Sequence, residues 1–80
     1  MRGHQLAEAR RRSGLAQRDV ATRMGVSVAR VSQIEHGETA TLEVIARYVE
    51  ALGGRLDLVA DFGGHTLRMP ASGDQDAAAA

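Results

Sequence analysis

The groups in this chain able to do chemistry are three histidines, ten arginines and ten carboxylates. His4, His36 and His65 lie far apart, and none has a second ligand at metal-binding spacing, so they read as surface or cap residues and no metal is expected. No serine has a histidine–aspartate relay beside it. No glycine-rich loop follows a strand, and Gly53-Gly54 and Gly63-Gly64 read as chain breaks. The chain is therefore expected to be neither an enzyme nor a cofactor carrier. Cysteine is absent, which removes disulfides and thiolate metal sites and fits a reducing cytoplasm. Tyr48 and Phe62 are the only aromatics, too few for stacking on unpaired bases. What remains is hydrogen bonding and charge. Residues 1–34 carry seven arginines against Glu8 and Asp19, a net +5; residues 35–80 carry three arginines against eight acids, a net −5. The overall neutrality thus hides a basic half suited to phosphate and guanine, and an acidic half suited to something else.

The elements that must position these groups follow from spacing. Eighty residues make one small domain. No apolar run is long enough for a signal peptide or a membrane span, so neither is expected. Met1–Ser13 reads as helix one, with Leu6, Ala9 and Arg10 on one face and Gly14 as its left-handed stop. Helix two begins near Ala16 or Gln17 and ends at Met24, with Val20, Ala21 and Met24 inward. Gly25 supplies a positive φ, Val26 plugs the angle, and Ser27 caps helix three. Val31 and Ile34 face inward, which leaves Val28, Ala29, Ser32 and Gln33 on the opposite side, and His36-Gly37 ends the helix. Two short helices about a tight turn are the spacing of a helix-turn-helix, whose second helix enters the DNA major groove.

Thr39 is the expected cap of helix four, which runs from about Ala40 to Leu52. Leu42, Ile45, Val49 and Leu52 form a core stripe, and Val44, Tyr48 and Ala51 a second one beside it. Val44 and Tyr48 either fill the core or form a dimer seam; the seam is favoured because the first stripe already serves the core. Past Gly53-Gly54 the period changes from 3.6 to 2. Arg55–Phe62 places Leu56, Leu58, Ala60 and Phe62 on one face, Gly63-Gly64 turns the chain, and His65–Met69 with Leu67 returns before Pro70. A lone hairpin is marginal in water, so it packs on its own helices, on a second copy or on a partner strand; pairing between copies is favoured. Residues 71–80 lack apolar periodicity and read as a disordered tail. The division is therefore 1–54 helical, 55–70 β and 71–80 tail, with a mainly α fold overall.

The run Leu6 to Gly37 resembles the helix-turn-helix domain of the Xre family, which includes phage repressors and Cro proteins. The matching residues are Leu6, Arg10, Ser13-Gly14-Leu15, Gln17, Val20-Ala21, Gly25-Val26-Ser27 and Val31 through Gly37. The segment from Thr41-Leu42-Glu43 through Tyr48–Gly54 to Asp61 is similar to small bacterial antitoxins of the HigA kind. The resemblance implies that Gln17 bonds a DNA phosphate at the start of helix two. It puts Ser27, Val28, Ala29, Ser32 and Gln33 at the DNA face of the recognition helix. Arg30 reaches a phosphate or a base edge, and Arg18 is either a phosphate contact or a solubilising charge. It also implies a structural ion pair between Arg10 and Glu35. Two departures stand out. Ala16 replaces the hydroxyl residue usual before Gln17, and Val28 and Ala29 can offer bases no more than contact with thymine methyls.

The expectation is a cytoplasmic, bacterial, sequence-specific repressor that binds a near-palindromic operator as a homodimer. By resemblance it is the antitoxin of a toxin–antitoxin pair, which represses its own operon and neutralises an mRNA-cleaving toxin. The alternatives are a stand-alone Xre-type regulator, and a protein-interaction module whose acidic half binds a basic partner.

Overall fold

The computed structural model of the chain describes residues 3–38 and 41–71. Four helices, α1 (Gly3–Arg12), α2 (Gln17–Met24), α3 (Val28–Glu35) and α4 (Leu42–Ala51), precede two strands, β1 (Asp57–Asp61) and β2 (Thr66–Pro70). The strands form one antiparallel hairpin.

Local signals set the helix boundaries. Gly14 ends α1 at φ +76°, with the Leu15 N–H reaching back to the Arg10 carbonyl. Ala16 has cap geometry but no side-chain acceptor; the Asp19 carboxylate instead takes the Ala16 N–H at 2.7 Å. After α2, Gly25 sits at φ +74°. Its N–H donates to the Thr22 carbonyl and that of Val26 to the Ala21 carbonyl, the paired closure of a Schellman stop. Ser27 opens α3 by accepting the Arg30 N–H on its hydroxyl at 3.0 Å. The result is two helices at a fixed angle, joined by three residues.

Val20, Val31, Ile34 and Tyr48 are fully buried at the centre of the helical body, with Leu6, Ala21 and Ala51 around them. Leu15, Met24, Val26, Val44, Ile45, Val49 and Leu52 close the cluster from its edges. Here α4 departs from the sequence reading. Its deepest residues are Ala46, Tyr48 and Ala51, whereas Leu42 is 46% exposed. The assignment of Tyr48 to a dimer seam is therefore corrected: with 0% exposure it has no surface to offer a second copy. The reason is polar. The phenol fills the centre of the core because its hydroxyl finds an acceptor there. The cap is also corrected. α4 starts at Leu42 and Thr41 Oγ1 accepts the Val44 N–H at 3.2 Å; Thr39 and Ala40 lie outside the described residues, as do Met1, Arg2 and the tail from residue 72.

In the hairpin, Leu58 opposes Met69 and Ala60 opposes Leu67, so these four share one face; Asp57, Val59 and Asp61 oppose Pro70, Arg68 and Thr66 on the other. Phe62 donates its N–H to the His65 carbonyl at 2.9 Å, which leaves Gly63-Gly64 as a two-residue turn. The φ of +88° at Gly63 is what the first position of a II′ turn needs. The apolar face is not buried by the helices: Leu58, Leu67, Met69 and Phe62 are 37–60% exposed. A groove of about 440 Å³ separates the hairpin from α4, lined by Leu42, Glu43, Leu58, Pro70 and Ala71.

Candidate nucleic-acid interface

The outward face of α3 is built by exclusion. Val31 and Ile34 point into the core, and one hundred degrees per residue then turns Val28, Ala29, Ser32 and Gln33 to the far side. Val28, Ala29 and Gln33 are exposed, and Ser32 and Arg30 are half-buried. Ser27, also exposed, has its hydroxyl engaged as the α3 cap. At the start of α2, Arg18 is exposed and Gln17 half-buried. His36, at the end of α3, holds Nδ1 at 2.7 Å from the Ser32 carbonyl; a carbonyl only accepts, so Nδ1 carries the hydrogen and Nε2 is the outward nitrogen. No reading of the sequence pointed to that arrangement, which depends on the end of the helix.

Behind this face lies a buried polar cluster. Glu35 is the hub. Arg10 Nε donates to its Oε2 at 2.7 Å, and Arg10 Nη2 lies 3.4 Å from Oε1. The Tyr48 hydroxyl donates to Oε2 at 2.5 Å, and Gln17 Nε2 donates to Oε1 at 2.9 Å. Arg10 Nη1 turns the other way, onto the Leu15 carbonyl at 2.9 Å. The cluster thus ties α1, α2, α3 and α4 together. Its electrostatics follow. Burial alone would push the Glu35 carboxyl up, but hydrogen bonds from Arg10, Tyr48 and Gln17 outweigh it and hold the carboxyl below its ordinary range. Hydrogen bonding to Glu35 raises Arg10 further, so the guanidinium stays charged. Burial, then donation to Glu35, holds the Tyr48 phenol protonated far into the alkaline range. Arg10 is thus an internal residue, although it counts toward the basic half. The sequence reading paired Arg10 with Glu35 by resemblance; it did not join Tyr48 or Gln17 to them, because nothing local in the sequence reports a contact across four helices.

The residues set aside for a second copy occupy a different place. Leu58, Phe62 and Leu67 are exposed on the hairpin; Leu56, Ala60 and Val44 are half-buried. Among the described residues no group of histidines, aspartates and glutamates could hold a metal ion, and no helix is long and apolar enough to cross a membrane.

Comparison with known proteins bears on this geometry. The family described as Helix-turn-helix matches residues 6–59, from α1 into β1. The chain is 49% identical over 71 residues to "Putative antitoxin HigA3" of Mycobacterium tuberculosis (strain ATCC 25618 / H37Rv), covering 85% of this chain and 65% of that protein. It is 35% identical over 71 residues to "Putative antitoxin HigA2" of the same organism, covering 86% and 70%. The chain therefore spans about two thirds of the length of these relatives. Two solved structures are similar at 48% identity, each covering 79% of this chain and 85% of the other. One is described as "Induced DNA bending by unique dimerization of HigA antitoxin", with a TM-score of 0.70, and one as "DNA bound antitoxin HigA3", with a TM-score of 0.71. With the helix-turn-helix, the buried cluster and the hairpin in place, this chain belongs to the Xre-type helix-turn-helix family and is a homologue of the HigA antitoxins.

Proposed function

We propose that the protein is a DNA-binding repressor of the HigA type, acting in the cytoplasm as a homodimer. The observation that carries this reading is the exposed face of α3, Val28, Ala29 and Gln33 with Ser32 and Arg30 at its rim, on a helix-turn-helix 48% identical to a DNA-bound relative. The helix enters the major groove; Gln33 and Ser32 supply hydrogen bonds to base edges, and Val28 and Ala29 meet thymine methyls. Gln17, Arg18, Ser27 and Arg30 serve the backbone on either side. So small a reading surface discriminates weakly by itself. Specificity comes from two copies whose recognition helices fall about 34 Å apart on a near-palindromic operator, with DNA deformability adding the rest. The second copy joins through the apolar hairpin face of Leu56, Leu58, Ala60, Phe62 and Leu67, with Val44 alongside. The same chain silences its own operon and restrains a cognate mRNA-cleaving toxin.

A mobility-shift titration with the DNA upstream of the chain's own gene tests the reading. Gln33→Ala is expected to weaken binding by about 1–3 kcal/mol, the worth of a bidentate base contact. Binding that survives both Gln33→Ala and Arg30→Ala, with its salt slope unchanged, contradicts the assignment of α3 as the reading helix.

A further inference from the structure

Gln17 stands at two boundaries. It is the first residue of α2, half-buried, and the one member of the Glu35 cluster that the proposed function also assigns to DNA. Its Nε2 carries two hydrogens, and one is spent on Glu35 Oε1 at 2.9 Å. The amide is planar, so fixing that hydrogen also fixes the direction of the second. Glu35 is itself immobile, since Oε2 is held by Arg10 Nε at 2.7 Å and by the Tyr48 hydroxyl at 2.5 Å. Arg10 is anchored in turn by the Leu15 carbonyl, and the Tyr48 ring by full burial. A glutamine on a helix surface normally samples several rotamers, and freezing one on binding costs affinity. Here the freezing is done beforehand, by the core.

We infer that Glu35, held by Arg10 and Tyr48, is a positioning residue for DNA binding: it orients the Gln17 carboxamide so that its second N–H meets a backbone phosphate. Tyr48 then acts on Gln17 from a fully buried site through two hydrogen bonds in series, and on the DNA through a third. This rests on the reading of Gln17 as a phosphate contact, and deepens it. The basic residues of the interface are not involved. The contact is made by a neutral donor, so it strengthens binding without releasing a counterion and leaves the salt slope alone.

A double-mutant cycle on the full-length chain tests the inference, with operator affinity measured far below the melting temperature of each variant. Gln17→Ala is expected to weaken binding roughly tenfold, as the loss of one hydrogen bond to a charged acceptor does, with the salt slope unchanged. Tyr48→Phe is expected to weaken it at least threefold in the parent and not at all in the Gln17→Ala background. A residue that merely stabilised the fold would shift the melting temperature in both backgrounds and leave the two affinity effects independent. Should Gln17→Ala bind as the parent does, the phosphate contact and this inference both fall. Should Gln17→Ala weaken binding while the effect of Tyr48→Phe is absent, or equal in both backgrounds, the contact stands and the positioning is overturned. A measurement on the unmodified protein does not depend on any variant folding. In DNA-free protein, nitrogen-15 relaxation should find the Gln17 side-chain amide nearly as rigid as the backbone and the exposed Gln33 amide mobile. Equal mobility of the two overturns the inference.

Discussion

The helical body and the hairpin solve opposite problems. In the body, every buried side-chain polar atom among the described residues has a partner, and the apolar side chains at its centre are fully covered. In the hairpin, Leu58, Phe62, Leu67 and Met69 stand 37–60% exposed on one face, next to an open groove against α4. A closed region of this kind stores stability; an open one is a surface awaiting a partner. Under the proposed function the contrast divides the molecule's tasks: the helical body presents the candidate reading helix at a fixed angle, and the hairpin brings two such helices to the DNA.

This division gives damage to each half a different signature. The largest expected effect lies at the hub of the body. Glu35→Ala leaves the Arg10 guanidinium buried and uncompensated, and should cost about 3–5 kcal/mol. In a domain this small that is enough to abolish most of the folded population, as followed by far-UV circular dichroism during urea titration. A loss below about 1 kcal/mol would show that the cluster does not hold the body together.

The next effect is a pH dependence confined to the body. The Glu35 carboxyl is depressed in the fold, so the unfolded chain binds the proton more readily. Its stabilisation is complete above the unfolded value of 4.5 and is lost as pH falls through the folded value. The Tyr48 phenol is raised, so its stabilisation is complete below the unfolded value of 10.0 and fades as pH climbs toward the folded value. Melting temperature against pH should therefore be flat between the two and fall on both sides. Tyr48→Phe should lower the plateau and remove this phenol's part of the alkaline fall; an alkaline limb unchanged in that variant would contradict the role given to the phenol.

These elements differ in how far the sequence revealed them, and the reason is range. Gly25, Ser27 and the inward spacing of Val20, Ala21, Val31 and Ile34 act within a turn or two, so α2, its stop and α3 could be placed from local rules. The hairpin could be placed in the same way from the change of period and Gly63-Gly64. The position of α4 could not. Its cap is Thr41 where Thr39 fits the local rule equally well, and its rotation is set by Tyr48 meeting a carboxylate thirteen residues away. Apolar counting favoured Leu42 for the interior, yet a side chain with a buried acceptor to satisfy took the centre. The tie of Gln17 to Glu35 spans eighteen residues and was invisible for the same reason. The candidate reading face was legible because it is the complement of a core stripe. What supports it was not.

The smallest effect on folding belongs to the hairpin, and it carries the most direct test of the central claim, that the hairpin doubles a monomeric reading head. Leu67 is 50% exposed and opposes Ala60 on the apolar face. Leu67→Glu should change the intrinsic stability of the folded monomer by no more than about 0.5 kcal/mol, as surface substitutions do, any further loss being the contribution of the dimer itself. Analytical ultracentrifugation of the parent and of this variant, each alone and with operator DNA, decides the matter. The account predicts a dimeric parent, a monomeric Leu67→Glu chain with unchanged helical content, and a loss of operator affinity of at least a hundredfold. A Leu67→Glu chain that remains dimeric and binds the operator as the parent does would contradict it.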